Sequence, residues 1–227
     1  MEERAPWLLV GLGNPGREYA ANRHNIGFMV AERWLDRHWP SGVSDPWREK
    51  FHGRYAVGQG SFGRCIVLQP WTYMNRSGKS VLAAAQFFRV PAAQIVVVYD
   101  EIDFEFGRVA IKKGGGHGGH NGIRDLTAQL PSKDFARVRV GVGRPTRGND
   151  VAKWVLGDFA GPDLAELPDV IDRAEAAVSA VLERGVAAAM NAVNQTAAKP
   201  KSPKKPAKRV PDGSEGSPPD DSGSQKA

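Results

Sequence analysis

Residues 95–99 read Ile-Val-Val-Val-Tyr, a continuous apolar run that is mostly β-branched. Such a run has no polar side to turn to water, so it makes a strand covered on both faces, at the centre of a sheet with helices above and below. It hands Asp100, Glu101 and Asp103 to its C-terminal edge. Ligands of such sheets sit past the C-terminal ends of the strands, so whatever else arrives there becomes a candidate for the site.

Other strand ends supply candidates. Leu8–Val10 reads as a strand that runs into Gly11 and Gly13 and delivers Asn14, Pro15 and Gly16 to a loop where glycine lets backbone approach a ligand closely. His24 follows at the start of a helical pattern over Ile26–His38, with Phe28, Ala31 and Leu35 on one face and Pro40 as its stop. Residues 41–52 read as a polar loop. Gly53–Val57 and Arg64–Leu68 read as a hairpin across Gly58–Gly63, and Gln69–Gly78, with Tyr73, Met74 and Asn75, as the loop after it. A helix follows with Val81, Leu82, Ala85 and Phe88 inward, ended by Pro91. Arg108–Lys112 is a short strand, and GGGHGGHNG (114–122) leads into a helix carrying Ile123, Leu126 and Leu130. Arg137–Gly143 alternates as a strand with one basic face, and Asp150 caps a short helix that Gly157 ends. Pro168 fits the first turn of a long final helix with Ile171, Ala174, Val178, Val181 and Gly185 as its buried stripe.

Strands alternating with helices define a single α/β domain, residues 1–196, built on a twisted, mixed and partly parallel sheet with helices on both faces. From Ala197 the chain offers almost nothing to bury, and residues 197–227 read as a disordered tail. That tail holds seven basic and four acidic residues of the chain's 31 and 25, so the body and the tail each carry a net charge of +3. Its Lys/Pro-rich half reads as a nonspecific RNA-attracting arm. One cysteine, Cys65, excludes an intrachain disulfide and fits a reducing cytoplasm; mid-strand, it reads as a small buried hydrophobe. No apolar run is long enough to span a membrane.

The candidate chemistry is one imidazole, one carboxylate and several amides. His24 can take a proton from water, Asp100 can fix its tautomer, and asparagine NH2 groups can hold an oxyanion, which together suit attack by activated water on a labile carbonyl such as an ester. Gly11, Gly13 and Gly16 spell a dinucleotide-binding turn. Pro15 and a polar, non-periodic stretch stand where that motif needs a helix, and the acids at the right distance, Glu32 and Asp36, fall inside a helical pattern. The 114–122 run lacks the G-K-[ST] ending of a nucleotide-hydrolysing loop. His117 and His120 have no acid or cysteine at ligand spacing, so no metal site is expected. Lys112, Lys113, Arg124, Arg137 and Arg139 provide positive charge for phosphates.

Several of these segments occur together, in order, in a known family. GLGNPG with Tyr19 and Arg23-His24-Asn25-Ile26-Gly27, Thr72-Tyr73-Met74-Asn75 with Ser77-Gly78, Asp100-Glu101-Ile102-Asp103, GGGHGGHNG and Arg139–Pro145 make the chain resemble the bacterial-type peptidyl-tRNA hydrolases over residues 7–190. The resemblance implies a monomeric cytoplasmic enzyme, with no cofactor and no obligate protein partner. It would cleave the ester between a peptide and the 3′-terminal ribose of tRNA, recycling tRNA from prematurely released peptidyl-tRNA. It makes His24 the base, Asp100 its supporting acid and Asn14 the residue that recognises an N-blocked aminoacyl group. Tyr19, Tyr73, Asn75 and Asn121 become contacts to the tRNA 3′ end, and Met74 a pocket residue. Lys112 with one of Arg137 or Arg139 becomes the phosphate contact. Gln69-Pro70-Trp71 and Tyr99 depart from the family's usual residues. A non-catalytic RNA-binding protein on the same fold is the alternative.

Overall fold

The computed structural model describes residues 5–38, 46–145 and 150–196. Among them lie strands β1 (Trp7–Gly11), β2 (Arg48–Lys50), β3 (Gly53–Gly60), β4 (Gly63–Pro70), β5 (Ile95–Glu101), β6 (Val109–Lys113) and β7 (Ala136–Gly141). The helices are α1 (Ile26–His38), α2 (Ser77–Phe88), α3 (Asn121–Gln129), α4 (Val151–Val155), α5 (Gly161–Arg184) and α6 (Val186–Thr196). The strands form one sheet in the order β2-β3-β4-β1-β5-β7-β6. β1 pairs in parallel with β4 and β5, and β5 with β7, while β3 and β6 run antiparallel to their neighbours. The fold is the expected α/β one, with a mixed, partly parallel sheet and helices on both faces.

Side chains on a strand alternate in direction, and the core divides accordingly. Leu9, Val67, Val96, Val98, Val138 and Val140 face one side, packed with α1, α5 and α6. Leu8, Val10, Ile66, Leu68, Ile95, Val97 and Tyr99 face the other, packed with α2 and α3. Every residue of β5 is buried, as the apolar run Ile95–Tyr99 requires, and Asp100 and Glu101 are buried with it at the strand's end. The chain leaves β1 for α1 on one face and crosses back from β4 to β5 through α2 on the other. The ends of β4, β1 and β5 therefore open a crevice between the two layers.

Two glycines set how closely α1 approaches that crevice. A Cβ on Gly11 would run into the carbonyl oxygen of Gly27 and lie 2.8 Å from Ala31 Cβ. One on Gly27 would lie 2.5 Å from both the N and the O of Leu12. Gly11 thus serves helix-on-strand contact, whereas the sequence pointed to ligand approach. The correction matters because α1 begins one residue after the turn that carries His24.

Other differences have local causes. Arg48–Lys50, expected in a loop, is an edge strand paired with Gly53–Tyr55; all three side chains are exposed, so no apolar alternation announces it. The hairpin is longer than expected, since its Gly-rich ends pair through backbone down to Gly60 and Gly63. α5 begins at Gly161, seven residues before Pro168, with Pro162 in its first turn. Pro168 forfeits one backbone bond inside the helix at a point where burial has not begun; the first buried side chain is Val170. Gly185 is not part of the stripe. Its φ of 80° ends α5, and the chain re-enters α6, which sequence reading did not separate. Pro40, residues 41–45, residues 146–149 and the expected tail 197–227 lie outside the described residues.

Candidate active site

A cleft of about 620 Å³ opens past the ends of β1, β4 and β5. Its lining includes Asn14, His24, Tyr73, Met74, Asn75, Asp100 and Asn121, so seven of the expected site residues meet in one place. They come from five separate segments.

His24 sits on a 3-10 turn, Arg23–Asn25, that runs directly into α1. The turn is tied down on both sides of the imidazole. Arg23 N donates to Gly157 O at 3.0 Å and the Arg23 guanidinium lies 3.9 Å over the Trp154 ring. Asn25 Oδ1 accepts Asn14 N at 2.8 Å, and Asn25 Nδ2 donates to Asn14 O at 2.9 Å. That reciprocal pair holds Asn14 in register with His24. Asn14 Oδ1 then accepts Met74 N at 2.8 Å, which turns its NH2 group toward the cleft that it lines.

Asp100 ends the buried strand with 2% of its surface exposed. Its Oδ1 lies 2.7 Å from His24 Nδ1 and 3.0 Å from His120 Nε2. Burial pushes this carboxyl up, but the two imidazoles and their hydrogen bonds outweigh it and hold the group well below the usual carboxylate range. An ionised carboxylate can only accept, so both ring nitrogens facing it carry hydrogen. For His120 the other nitrogen is also assigned: Nδ1 accepts Ile123 N at 3.2 Å and caps α3. Both of its nitrogens are therefore occupied. His24 differs, because with Nδ1 bonded to Asp100 its Nε2 is left to the cleft with a lone pair.

His120 is the residue that sequence reading set aside. In sequence it has no acid at ligand spacing, yet the strand end of Asp100 brings one to it in space. One ligand atom from each of His24, Asp100 and His120 lies within 4.8 Å of the others, and all three are joined by the hydrogen bonds just described. The one available signal was its position immediately before α3, where an acceptor side chain caps. Asn25, to which the sequence assigns no role, holds Asn14 in place through both of its side-chain polar atoms. Tyr99 packs its ring edge-on 4.8 Å from His120. Gln69, buried, bonds Phe28 O at 3.0 Å and accepts Arg54 Nε at 2.6 Å, so that departure braces α1 against β4.

The remaining expected residues lie elsewhere. Tyr19 is half-buried on a 3-10 turn, Arg17–Tyr19, outside the cleft lining. The exposed basic face expected on β7 does not form. Arg137 is fully buried and donates to Gly116 O at 2.7 Å and Gly115 O at 2.9 Å, so its guanidinium holds the glycine-rich segment leading to His120. Arg139 donates to Glu101 Oε2 from Nε at 2.9 Å and from Nη2 at 2.7 Å. Lys112, half-buried at the opposite end of that segment, has its Nζ beside Gly115. On the far wall the cleft is apolar, with Ile102, Val151, Val155 and Leu156.

An α/β sheet whose strand ends present a carboxylate-bound imidazole with one free nitrogen, facing oriented amide donors, defines a hydrolase of the general-base class. Comparison with known proteins gives the family. The sequence model of the peptidyl-tRNA hydrolases matches residues 8–202. The peptidyl-tRNA hydrolase of Sorangium cellulosum is 47% identical over 195 residues, 85% of each chain. That of Syntrophotalea carbinolica is 46% identical over 187 residues, 82% of this chain and 96% of its own. The crystal structure of peptidyl-tRNA hydrolase from Acinetobacter baumannii superposes with a TM-score of 0.74 at 38% identity, covering 86% of this chain and 97% of that one. The chain belongs to the peptidyl-tRNA hydrolase family.

Proposed function

We propose that this protein hydrolyses the ester between the C-terminus of a peptide and the 3′-terminal ribose of tRNA, releasing the peptide and a tRNA fit for reuse. The observation that carries the reading is the one imidazole nitrogen that the His24–Asp100–His120 cluster leaves without a partner among the described residues: His24 Nδ1 is bonded to Asp100, and His24 lines the cleft. Nε2 takes a proton from water as that water attacks the ester carbonyl, and Asp100 stabilises the imidazolium that forms. The Asn14 NH2 group, its oxygen already committed to Met74 N, is oriented to donate to the acyl group or the oxyanion; such a donor is worth ~3 kcal/mol of barrier. The imidazolium then returns its proton to the departing ribose oxygen. The steps use side chains alone, with no cofactor.

The other roles follow from position. Tyr73, 61% exposed, Asn75 and Asn121 rim the cleft where the terminal adenosine would enter. Met74 forms part of the floor, and Ile102, Val151, Val155 and Leu156 offer an apolar wall to the peptide. Tyr19 stands further out as a contact to the 3′ end. Lys112, half-buried with its Nζ beside Gly115, is the phosphate contact. Arg137 and Arg139 support that contact from within, being committed to protein acceptors. The protein acts as a monomer in the cytoplasm. No described helix is long and apolar enough to cross a membrane.

The test compares purified protein on N-acetyl-aminoacyl-tRNA and on unblocked aminoacyl-tRNA. Rapid release of tRNA from the blocked substrate alone is expected. His24→Ala should lower turnover by at least ~100-fold while tRNA affinity stays within about twofold. Retained turnover in that variant overturns the assignment of the base, and a wild-type protein that binds tRNA without cleaving it favours the non-catalytic alternative.

A further inference from the structure

The end of β5 brings an acidic stretch to the mouth of the cleft. Asp100, Glu101 and Asp103 stand within four residues, the first two in the lining itself, and an RNA whose 3′ end enters there carries phosphates toward them. Like charges oppose that approach unless each carboxylate has a cation or donor of its own. Asp100 lies between two imidazoles, and Glu101 takes Arg139 from both Nε and Nη2. Asp103 is paired with Arg144, whose Nε donates to Asp103 Oδ1 at 3.1 Å and whose Nη2 donates to the same oxygen.

The two arginine pairs differ in what they can give up. Glu101 is buried, so parting it from Arg139 would strand a charge away from water. The side chains of Arg144 and Asp103 are 58% and 53% exposed, where water screens the attraction and replaces either partner at little cost. The backbone that carries Arg144 is fixed all the same. Val142 N donates to Glu101 O at 3.2 Å, Gly143 N donates to Phe104 O at 3.0 Å, and Gly143 O accepts Trp154 Nε1 at 2.9 Å. Among the described residues that line the cleft, Arg144 is the one arginine or lysine. Lys112, the phosphate contact proposed above, is level with Arg137. Arg137 stands seven residues before Arg144, so their backbones lie within ~25 Å. An RNA strand that passes Lys112 and ends in the cleft meets Arg144 last.

We infer that Arg144 binds the phosphodiester next to the terminal nucleotide, exchanging the Asp103 carboxylate for the two non-bridging phosphate oxygens, which match the fork of a guanidinium. The inference rests on the substrate being RNA-borne, as proposed above. Lys112 contributes affinity further along the RNA, whereas Arg144 fixes how deep the last nucleotide sits and so where the ester lies relative to His24. Asp103 is the competing anion, released to water when the phosphate arrives.

The test uses the uncharged trinucleotide CCA, the 3′ end common to tRNAs, which has no ester to cleave, so its result is independent of hydrolysis. Adenosine, which has no phosphate, is the reference. Arg144→Gln should weaken CCA binding by ~5- to 10-fold at low salt and lower the ratio of CCA to adenosine affinity by the same factor. Its plot of log affinity against log salt should be shallower by about 0.7, the value of one phosphate on a single strand. Asp103→Asn should act in the opposite sense and tighten CCA binding by at least ~2-fold, because it removes the competing anion. A pair that merely braced the loop would respond alike to both substitutions, since either one breaks it. Arg144→Lys should keep the parental salt slope and recover part of the affinity. All three variants should keep the parental thermal midpoint, the pair being exposed. Equal losses in Arg144→Gln and Asp103→Asn overturn the contact. Parental affinity and slope in Arg144→Gln overturn it too and leave the guanidinium to the peptide side of the cleft. Arg144-dependent binding of CCA by a protein that cleaves no N-blocked aminoacyl-tRNA keeps the contact and removes the reaction, while cleavage with CCA binding indifferent to Arg144 removes the contact alone.

Discussion

Asp100 joins the two imidazoles of the candidate site, and the role proposed for it is measurable in stability as well as rate. Folding favours its ionised form, because the opposing cost of burial is outweighed by His24 and His120. A carboxyl held below its unfolded value of about 3.9 stabilises the native state fully above that pH, and the contribution is lost as pH falls below it toward the folded value. Urea unfolding from pH 7 down to pH 3 should therefore show an acid-side loss in the parent that is smaller in Asp100→Asn by about 1 kcal/mol, with the rest of the difference appearing below pH 3. The same variant should lose hydrolysis by at least ~100-fold, since a neutral amide no longer stabilises the imidazolium and its NH2 group can donate to Nδ1, which selects the wrong tautomer of His24. A parent and variant with superposable pH profiles would remove the carboxylate from this role. Sequence was informative here to a limited depth. It put His24, Asp100 and Asn14 together because strand ends and a helix start can be read from local pattern. It misjudged His120, whose partner lies 20 residues away in sequence and is adjacent only through the sheet. Cys65 was legible for the opposite reason, since a thiol amid an apolar strand has one destination; it is buried, and burial pushes its thiol well up. It should resist thiol reagents until the protein unfolds, and labelling of the native protein would contradict its placement.

At the scale of elements, the site depends on how α1 meets the sheet. The Gly27 position faces Val98 O and both backbone polar atoms of Leu12, so an added methyl must displace backbone, not a side chain. Gly27→Ala should destabilise the fold by at least ~3 kcal/mol in urea unfolding, more than a typical substitution, and should shift the His24 turn with it. A variant with parental stability would mean that α1 slides freely on β1. Sequence could mark these glycines but not their use, because ligand approach and helix approach demand the same missing Cβ. The elements that escaped sequence reading share a physical cause. β2 is a fully exposed edge strand whose pairing is entirely backbone, and α6 follows a single glycine break in a stretch that is helical on both sides. Neither leaves a periodic trace. β5 and α1 are the contrary case, since burial on two faces and on one face, respectively, write themselves into the order of apolar residues.

At the scale of the whole molecule, the proposed function assigns bond cleavage and RNA holding to opposite ends of one strand pair. On β7, Val140 is level with Asp100, whereas Arg137, level with Lys112, lies three residues back, or ~10 Å. The glycine-rich segment spans that interval, fixed at its start by Arg137 and at its end by the bonds of His120. Under the proposed function the basic residues at the far end have two distinct jobs that sequence could not tell apart, since both appear as cations on strands. Lys112→Gln should raise KM for tRNA-borne substrate by ~5- to 10-fold, the cost of about one phosphate contact, with little change in thermal midpoint. Arg137→Gln removes the donors from two buried-side carbonyls and leaves the segment unsupported, so it should lower the midpoint by several degrees. It should also reduce kcat, because His120 and Asn121 move with the segment. Kinetics on the blocked substrate together with thermal unfolding distinguish the two. If Arg137→Gln raised KM alone, at parental stability, its guanidinium would be contacting RNA instead of the Gly115 and Gly116 carbonyls, and the division of the sheet into a cleaving end and a holding end would fail.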